Sequence, residues 1–248
     1  MHYFDIFLLW QGWLYLLILT LLEVVLGIDN IIFISIVTDE LPLNKKRSTR
    51  NIGLGLALII RLVLLAAVAW LMSLTKPIFS IFSIGFSFQS IILLLGGLFL
   101  IYKSTVEMHR SVKGFKEDKK TKKTTISAII LQIIVIDVVF SFDSIISAVG
   151  MTNGLQTDTG KDPTTIIYIS VIISMAIMMI FAGKISQFIA DHPTIKMIAL
   201  SFLVTVGVLL IGEAFGAHIP KGYVYFSLVF SLIVELMNIK MRKNKNMT

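Results

Sequence analysis

The sequence has no cysteine and few charges among its 248 residues. Only 15% of the residues are charged, against about 25% in an average soluble domain, while 56% are hydrophobic. A chain of this length cannot bury so much apolar surface in one water-soluble core, because its surface grows nearly as fast as its volume. Disulfides and thiolate metal sites are excluded. The four histidines are scattered, so we expect any bound metal to be held by oxygen atoms.

Seven stretches are long and apolar enough to span a membrane, which takes about 20 mostly hydrophobic residues. The first is not a cleavable signal peptide, because it carries acidic residues and lacks a basic start and a small-residue cleavage site. The sequence therefore predicts an all-α membrane protein in which residues 1–248 form one transmembrane transporter domain. The expected spans are residues 11–37, 51–74, 84–106, 125–149, 164–188, 194–216 and 220–239.

The distribution of basic residues predicts the orientation of these spans. Most of the 22 Lys and Arg residues fall in alternate connections, around residues 38–50, 103–123 and 184–196 and in the C-terminal tail. Because short cytoplasmic loops are enriched in Lys and Arg, we expect a multi-pass protein of the cell membrane with its N-terminus outside and its tail in the cytoplasm. The basic segment 107–124 is expected to be a cytoplasmic connector, not a nucleic-acid site.

Two similar ten-residue words, EVVLGIDNII at 23–32 and DVVFSFDSII at 137–146, lie 114 residues apart. Six of their ten positions are identical or exchange one acid for another. A weaker echo relates GLFLI at 97–101 to GVLLI at 207–211. The words therefore indicate that the first three spans are repeated in the next three.

This repeat predicts an inverted architecture. Because each copy contains three spans, an odd number, the second copy enters the membrane from the opposite face, as in many secondary transporters. The first copy covers about 11–106, the second about 125–217, and the helix at 220–239 is an addition.

Four acidic residues, Glu23, Asp29, Asp137 and Asp143, are expected near the middle of the first and fourth spans. Each charge at mid-bilayer costs about 2.5–3.5 kcal/mol on insertion scales. Such a cluster needs protons, a cation or a basic partner to neutralise it. With Asn30, these acids are the predicted ligands of a divalent cation.

The spacing within each word predicts a local break in the helix. Six residues of straight helix turn Glu23 and Asp29 about 120° apart, so they cannot both reach one ion. Gly27 and Ser141 hold the equivalent central positions, and we expect unwinding there to expose carbonyl ligands.

Antiparallel spans also reverse the depth order of the acids. Glu23 should then lie level with Asp143, and Asp29 level with Asp137. Ser144 is expected to add a neutral oxygen at the position matching Asn30.

Three further charged residues fall within or at the ends of the spans. Arg61 lies close to the midplane, and we expect it to form an ion pair with one of the acids. A sharper hypothesis is that it neutralises the empty site and is displaced when the ion binds. Glu213 and Glu235 are candidate gates or proton relays, with snorkelling to the interface as an equal alternative.

The MAIMMI stretch of the fifth span is expected to face lipid or fill packing gaps.

Four motifs together resemble the TerC family of integral membrane proteins, over residues 12–238: EVVLGIDNIIFIS, GGLFLIYKSTVEMH, DVVFSFDSII and GEAFGAHIPKGYVYFSLVFSLIVELMN. The resemblance implies a seven-span fold of the lysine-exporter-like group and manganese export, and it links the protein to metal loading of exported enzymes. It assigns no role to the connection before the last span. The residues of that connection that match are Glu213, His218, Pro220, Lys221, Gly222 and Tyr223.

The leading hypothesis is a Mn²⁺ efflux transporter that works by alternating access, with no enzymatic activity and no prosthetic group. The expected partners are the transported divalent cation and the lipid bilayer, and homo-oligomerisation stays open. Oxygen ligands suit Mn²⁺, Mg²⁺ or Ca²⁺ better than Cu⁺ or Zn²⁺, but they do not rank Mn²⁺ above Ca²⁺.

Two alternatives stay open beside it: a Ca²⁺ or cation–proton antiporter, and a non-transporting assembly partner in the membrane. An intramembrane aspartyl protease is disfavoured, because the acids form two matched pairs and the sequence has no G-x-G-D word.

Overall fold

The computed structural model describes residues 5–81, 84–113, 125–160, 162–217 and 220–245. Part of the expected basic connector, residues 114–124, and His218 lie outside these ranges. After a 3-10 turn at Asp5–Leu8, the described chain is built of helices and one antiparallel hairpin. The helices are α1 Trp10–Leu26, α2 Ile28–Asp39, α3 Leu43–Ala66, α4 Val68–Ser73, α5 Phe88–Lys113, α6 Ile126–Thr159, α7 Thr164–Asp191, α8 Pro193–Ala214 and α9 Gly222–Lys245; the strands are β1 Pro77–Ile81 and β2 Ile84–Ser87.

Seven helical segments are long and apolar enough to cross a membrane, which confirms the predicted all-α, seven-span class. Many of their large apolar side chains are exposed, among them Trp10 (69%) and Phe226 (72%), as expected of surfaces that face lipid. The segments are Trp10–Asp39, Asn44–Ala66, Phe88–Lys113, Ile126–Thr152, Thr164–Asp191, Pro193–Ala214 and Gly222–Arg242.

The boundaries around the second and third spans differ from the expectation. The second span ends at Ala66, and β1 and β2 then pair as a hairpin. The third span was expected to begin at residue 84, but α5 begins at Phe88. The hydroxyl of Ser87 accepts a hydrogen bond from the Ser90 N–H at 3.1 Å, which caps the first turn of the helix. Hydropathy could not register this cap, because the hairpin is as apolar as the helix that follows it.

The fourth span was also expected to end early, at residue 149. Instead α6 continues to Thr159. Within this extension, the Thr152 hydroxyl bonds back to the Ala148 carbonyl at 3.0 Å, and Leu155 is buried. A polar sequence can thus remain helical when its hydroxyls are satisfied by the helix itself.

The chain forms two compact units, each assembled from two separate stretches. The first unit comprises Met1–Thr75 and Thr124–Ser186, and the second comprises Lys76–Lys123 and Gln187–Thr248. The first therefore contains the first, second and fourth spans and most of the fifth. The second contains the third, sixth and seventh spans. Spans that correspond in the proposed repeat thus fall in the same unit, while the inverted repeat itself stays a prediction.

In the first unit, α6 lies at the centre and packs against α1, α2, α3 and α4. Its buried residues include Ile133, Ile136, Phe142 and Ile145, so the packing continues along the length of the helix. This arrangement brings the two acidic words into the same interior.

In the second unit, α5 packs most extensively on α8, and α9 packs on α8. The helices α5 and α8 approach closely at two glycines. A Cβ atom built on Gly97 would lie 2.6 Å from the Gly207 carbonyl oxygen, and one built on Gly207 would lie 2.9 Å from the Gly97 oxygen. Ile211 and Ile101 complete the contact in the same reciprocal way. The GLFLI and GVLLI words therefore meet each other at this crossing.

Candidate functional site

A buried arginine joins two acidic residues in the interior of the first unit. Arg61 is 2% exposed, and its Nη1 donates to Glu23 Oε2 at 2.7 Å. Its Nη2 donates to Asp137 Oδ1 at 3.3 Å, and its Nε donates to Ser141 Oγ at 3.0 Å. Sequence reasoning expected an ion pair with one acid, whereas the guanidinium contacts two. These acids hold the equivalent first positions of the two acidic words.

The helical repeat explains why Arg61 points inward. Leu54, Ala57, Arg61 and Leu65 are spaced by three or four residues, lie on one face of α3 and are all buried. This face packs on α6. A charged residue within that row has to find its partners in the protein interior, because the row offers it no access to water.

The polar residues of the two words contact one another in a crossed arrangement. The Asn30 amide on α2 donates to Asp137 Oδ1 at 3.3 Å, and Glu23 on α1 interacts with the Ser144 hydroxyl on α6. Asn30 and Ser144 hold equivalent positions in their words, so each reaches the first acid of the opposite word. Glu23 also lies within the electrostatic influence of Asp143, as expected if the two words run antiparallel.

Two oxygen atoms in this cluster are buried without a hydrogen-bond partner in the described part of the chain. They are Glu23 Oε1 and Asn30 Oδ1, on residues that are 1% and 4% exposed. An amide oxygen and an ionised carboxylate oxygen can only accept, so each of these atoms needs a proton donor or a cation. Because most buried polar atoms in native proteins are satisfied, two unpaired acceptors on residues of one polar cluster indicate a place for a positively charged ligand.

The remaining predicted ligands are not gathered around one point. Asp29 is buried and Asp143 is half-buried, and each has interactions of its own. Within the described ranges, no three Asp, Glu or His side chains lie close enough together to hold a metal ion. The charge at the centre of the cluster is supplied by the Arg61 guanidinium.

The predicted unwinding at Ser141 is wrong. The helix α6 runs without a break from Ile126 to Thr159. Ser141 contributes its side chain instead of its backbone: the hydroxyl accepts from Arg61 and donates to Asp137 Oδ2 at 3.2 Å. Since Ser141 lies one turn beyond Asp137, an intact helix already places both on the same face.

At Gly27 the predicted break is present but spans a single residue. Helix α1 ends at Leu26 and α2 begins at Ile28, with Gly27 at φ −89° and ψ −2°. The Gly27 carbonyl accepts a hydrogen bond from the Ile31 N–H at 3.1 Å, so the break exposes no run of carbonyl ligands.

A buried methionine on α7 lies against this break, and it fills a packing gap, one of the two roles expected of the MAIMMI stretch. A Cβ atom on Gly27 would lie 2.2 Å from Met178 Sδ. Met178 and Met175 are each 1% exposed, whereas Met179 is 39% exposed, so the MAIMMI stretch has both a buried and an exposed face. The inward face could have been recognised from the sequence, because its buried residues are spaced by three or four positions: Val171, Met175, Met178 and Ala182.

The two other candidate acids belong to the second unit. Glu213 forms an ion pair with Lys221 at 3.5 Å, and Glu235 interacts with Thr194 and Asn238. Sequence reasoning missed a further buried acid, Glu107, which is 8% exposed and pairs with the Lys196 ammonium at 3.1 Å. Glu107 follows the last apolar turn of its span, so hydropathy alone did not single it out.

The model of the integral membrane protein TerC family matches residues 8–247. The chain belongs to the TerC family. This confirms the family that the four motifs resemble. The Arg61 cluster therefore lies within the part of the chain that the family model covers.

Curated relatives of this TerC-family chain cover nearly its whole length. It is 47% identical over 236 residues to the UPF0053 inner membrane protein YgdQ of Escherichia coli, with 95% of each chain covered. A UPF0053 protein of Haemophilus influenzae is 43% identical over 235 residues, covering 94% of this chain and 95% of the relative. The longer inner membrane protein YoaE of Escherichia coli is 41% identical over 238 residues, which are 95% of this chain and 44% of YoaE. No solved structure matches this chain.

Proposed function

We propose that this TerC-family protein exports a divalent cation, Mn²⁺ in the first place, across the inner membrane by alternating access. The observation that carries the proposal is the Arg61 cluster. One guanidinium pairs with two acids in the membrane interior, and two acceptor oxygens of the same group of residues have no donor in the described part of the chain. Burying ionisable groups in the membrane costs free energy, and proteins retain such groups mainly at functional sites such as ion pathways.

The charges favour a divalent substrate. Arg61 supplies one positive charge to Glu23 and Asp137, which together carry two negative charges when ionised. A divalent cation in place of the guanidinium would balance both. Mn²⁺ accepts carboxylate and amide oxygens, which are the groups that Glu23, Asp137 and Asn30 offer.

In this proposal Arg61 acts as a tethered substitute for the substrate. When no ion is bound, its positive charge lies between the two acids and reduces the repulsion between the buried carboxylates. An entering cation displaces the guanidinium and draws in Glu23 Oε1 and Asn30 Oδ1, which have no hydrogen-bond partner in the described structure. Asp29, Asp143 and Ser144 would complete the oxygen ligands as they move toward the ion.

The test is flux into proteoliposomes that contain a metal-sensitive dye and the purified protein. We expect Mn²⁺ flux in the wild-type protein and at least a tenfold loss in Asp137→Asn, which removes a charge but keeps the shape. Asp191→Asn is the matched control, because Asp191 is exposed at the end of α7 and should leave the flux unchanged.

Parallel runs with Ca²⁺, Mg²⁺ and Zn²⁺ rank the substrates, and imposed proton and sodium gradients identify the coupling. If Ca²⁺ crossed faster than Mn²⁺, the proposed substrate would change to Ca²⁺, while the proposed ion site would stand. Full Mn²⁺ flux in Asp137→Asn would refute the site. Wild-type protein that is folded but carries no ion under any gradient would favour a non-transporting role.

A further inference from the structure

A second arginine lacks a counter-charge in the first unit, away from the Arg61 cluster along α3. Arg50 lies in the second turn of α3, and its Nε atom is buried without a hydrogen-bond partner in the described ranges. None of the described acids forms an ion pair with it. Because a guanidinium is always ionised and offers five donors, a half-buried one calls for an anion.

A neighbouring residue increases this need. Arg47, one turn before Arg50, lies close enough for the two positive charges to repel each other. Lys46, directly before Arg47, is paired with Asp39 at the end of α2. The Asp39 carboxylate is therefore engaged with the lysine, and among the described residues neither Arg47 nor Arg50 forms an ion pair.

The Arg50 guanidinium lies against a glycine on α7. Its Nη2 atom lies 3.1 Å from where a Cβ atom on Gly183 would be, so the planar group rests against the α7 backbone. Any side chain at residue 183 would compete for this space. The next residue, Lys184, is exposed and adds a third positive charge beside Gly183.

The position of these residues along their helices indicates the class of anion. The second membrane-spanning segment begins at Asn44, so Arg47 and Arg50 lie within its first two turns, at the depth of lipid headgroups. Basic pockets between spans at this depth bind anionic headgroups, and the guanidinium fork matches two phosphate oxygens. We propose that Arg50, seated against Gly183 and supported by Arg47, binds the phosphate of an anionic phospholipid.

The experiment measures lipid binding to the purified, delipidated protein by native mass spectrometry. We expect phosphatidylglycerol to bind the wild-type protein at this site and phosphatidylcholine to bind much more weakly. Arg50→Gln should weaken phosphatidylglycerol binding about tenfold, the loss expected for a charged hydrogen-bonded contact. Lys45→Gln is the matched control: it removes the same charge from an exposed residue in the first turn of the same helix and should have little effect.

A second variant tests the geometry without changing the charge. Gly183→Leu places a side chain where the guanidinium rests and should also weaken phosphatidylglycerol binding. Equal losses in Arg50→Gln and Lys45→Gln would show a general surface-charge effect and overturn the proposal. If inorganic phosphate alone bound the wild-type protein as strongly as the lipid does, the assignment of the bound phosphate to a phospholipid would be overturned. Flux in proteoliposomes does not enter this test, so it succeeds or fails independently of the proposed transport.

Discussion

At the scale of single residues, Arg61 joins polar groups from α1 and α6 in the interior of the first unit. Burying a charge is costly unless it is paired and hydrogen-bonded, and Arg61 uses Nη1, Nη2 and Nε for three different partners. Removing the arginine would leave two carboxylates facing each other in the apolar interior. Removing the whole cluster would leave only neutral groups, which is far less costly.

We therefore predict that Arg61→Gln destabilises the protein by about 3–5 kcal/mol, the usual cost of breaking a buried ion pair. The triple variant with Glu23→Gln and Asp137→Asn should recover most of that loss. Thermal unfolding in one detergent measures both. Arg110→Gln serves as the control, since Arg110 is 56% exposed and its pair with Glu107 should contribute less than about 1 kcal/mol. Wild-type stability in Arg61→Gln would contradict the assigned role.

The free-energy cost of burying a charge also made most of the Arg61 cluster predictable from the sequence. Charged residues in an apolar span are rare enough that Glu23, Arg61 and Asp137 could be singled out without a structure. What the sequence did not indicate is that one arginine would bridge the two equivalent acids. That outcome depends on side-chain reach and on which face of α3 meets α6, and neither is encoded in hydropathy.

At the scale of helices, close approach in the second unit is set by glycine. At the crossing of α5 and α8, the atom that a new Cβ would meet is a backbone carbonyl oxygen, 2.6 Å away in the case of Gly97. A backbone atom cannot rotate aside as a long side chain can. The two helices would have to separate, and the contacts of Ile101 and Ile211 would be lost with them.

We predict that Gly97→Ala lowers the stability by about 1–3 kcal/mol, as overpacking of a tight interior does. Gly55→Ala, in the middle of α3, is the matched control. A Cβ on Gly55 would meet no described atom within 4 Å, so this change should be neutral or add up to about 1 kcal/mol through helix propensity. Thermal unfolding of the two variants in the same detergent compares them. If they unfold at the same temperature, the close crossing of α5 and α8 is not as described.

Helix identity was easier to predict than helix ends. Runs of apolar residues define the seven spans, because a helix satisfies its backbone hydrogen bonds within a single segment in lipid. The ends depend on local hydrogen bonds such as the Ser87 cap on α5 and the back-bonded Thr152 hydroxyl within α6. A break was expected at Ser141 from its match to Gly27, but a serine whose hydroxyl finds partners one turn away can remain helical.

At the scale of the whole molecule, each compact unit is assembled from both halves of the sequence. Transporters with inverted repeats are commonly organised in this way, since equivalent spans of the two copies pack together around a pseudo-two-fold axis. Such a molecule requires opposite orientations for the two copies. Its topology is therefore the most direct physical test of the repeat.

The chain has no cysteine, so single cysteines can report on topology without further changes. We predict that a membrane-impermeant maleimide labels Lys76→Cys in right-side-out vesicles, and Lys45→Cys and Lys240→Cys only in inside-out vesicles. All three lysines are exposed. Five spans, an odd number, separate Lys76 from Lys240, so these two residues lie on opposite sides of the membrane. Six spans, an even number, separate Lys45 from Lys240, so these two lie on the same side. Labelling of all three from one side would rule out this arrangement of seven crossings, and with it the opposite insertion that brings the acidic words together.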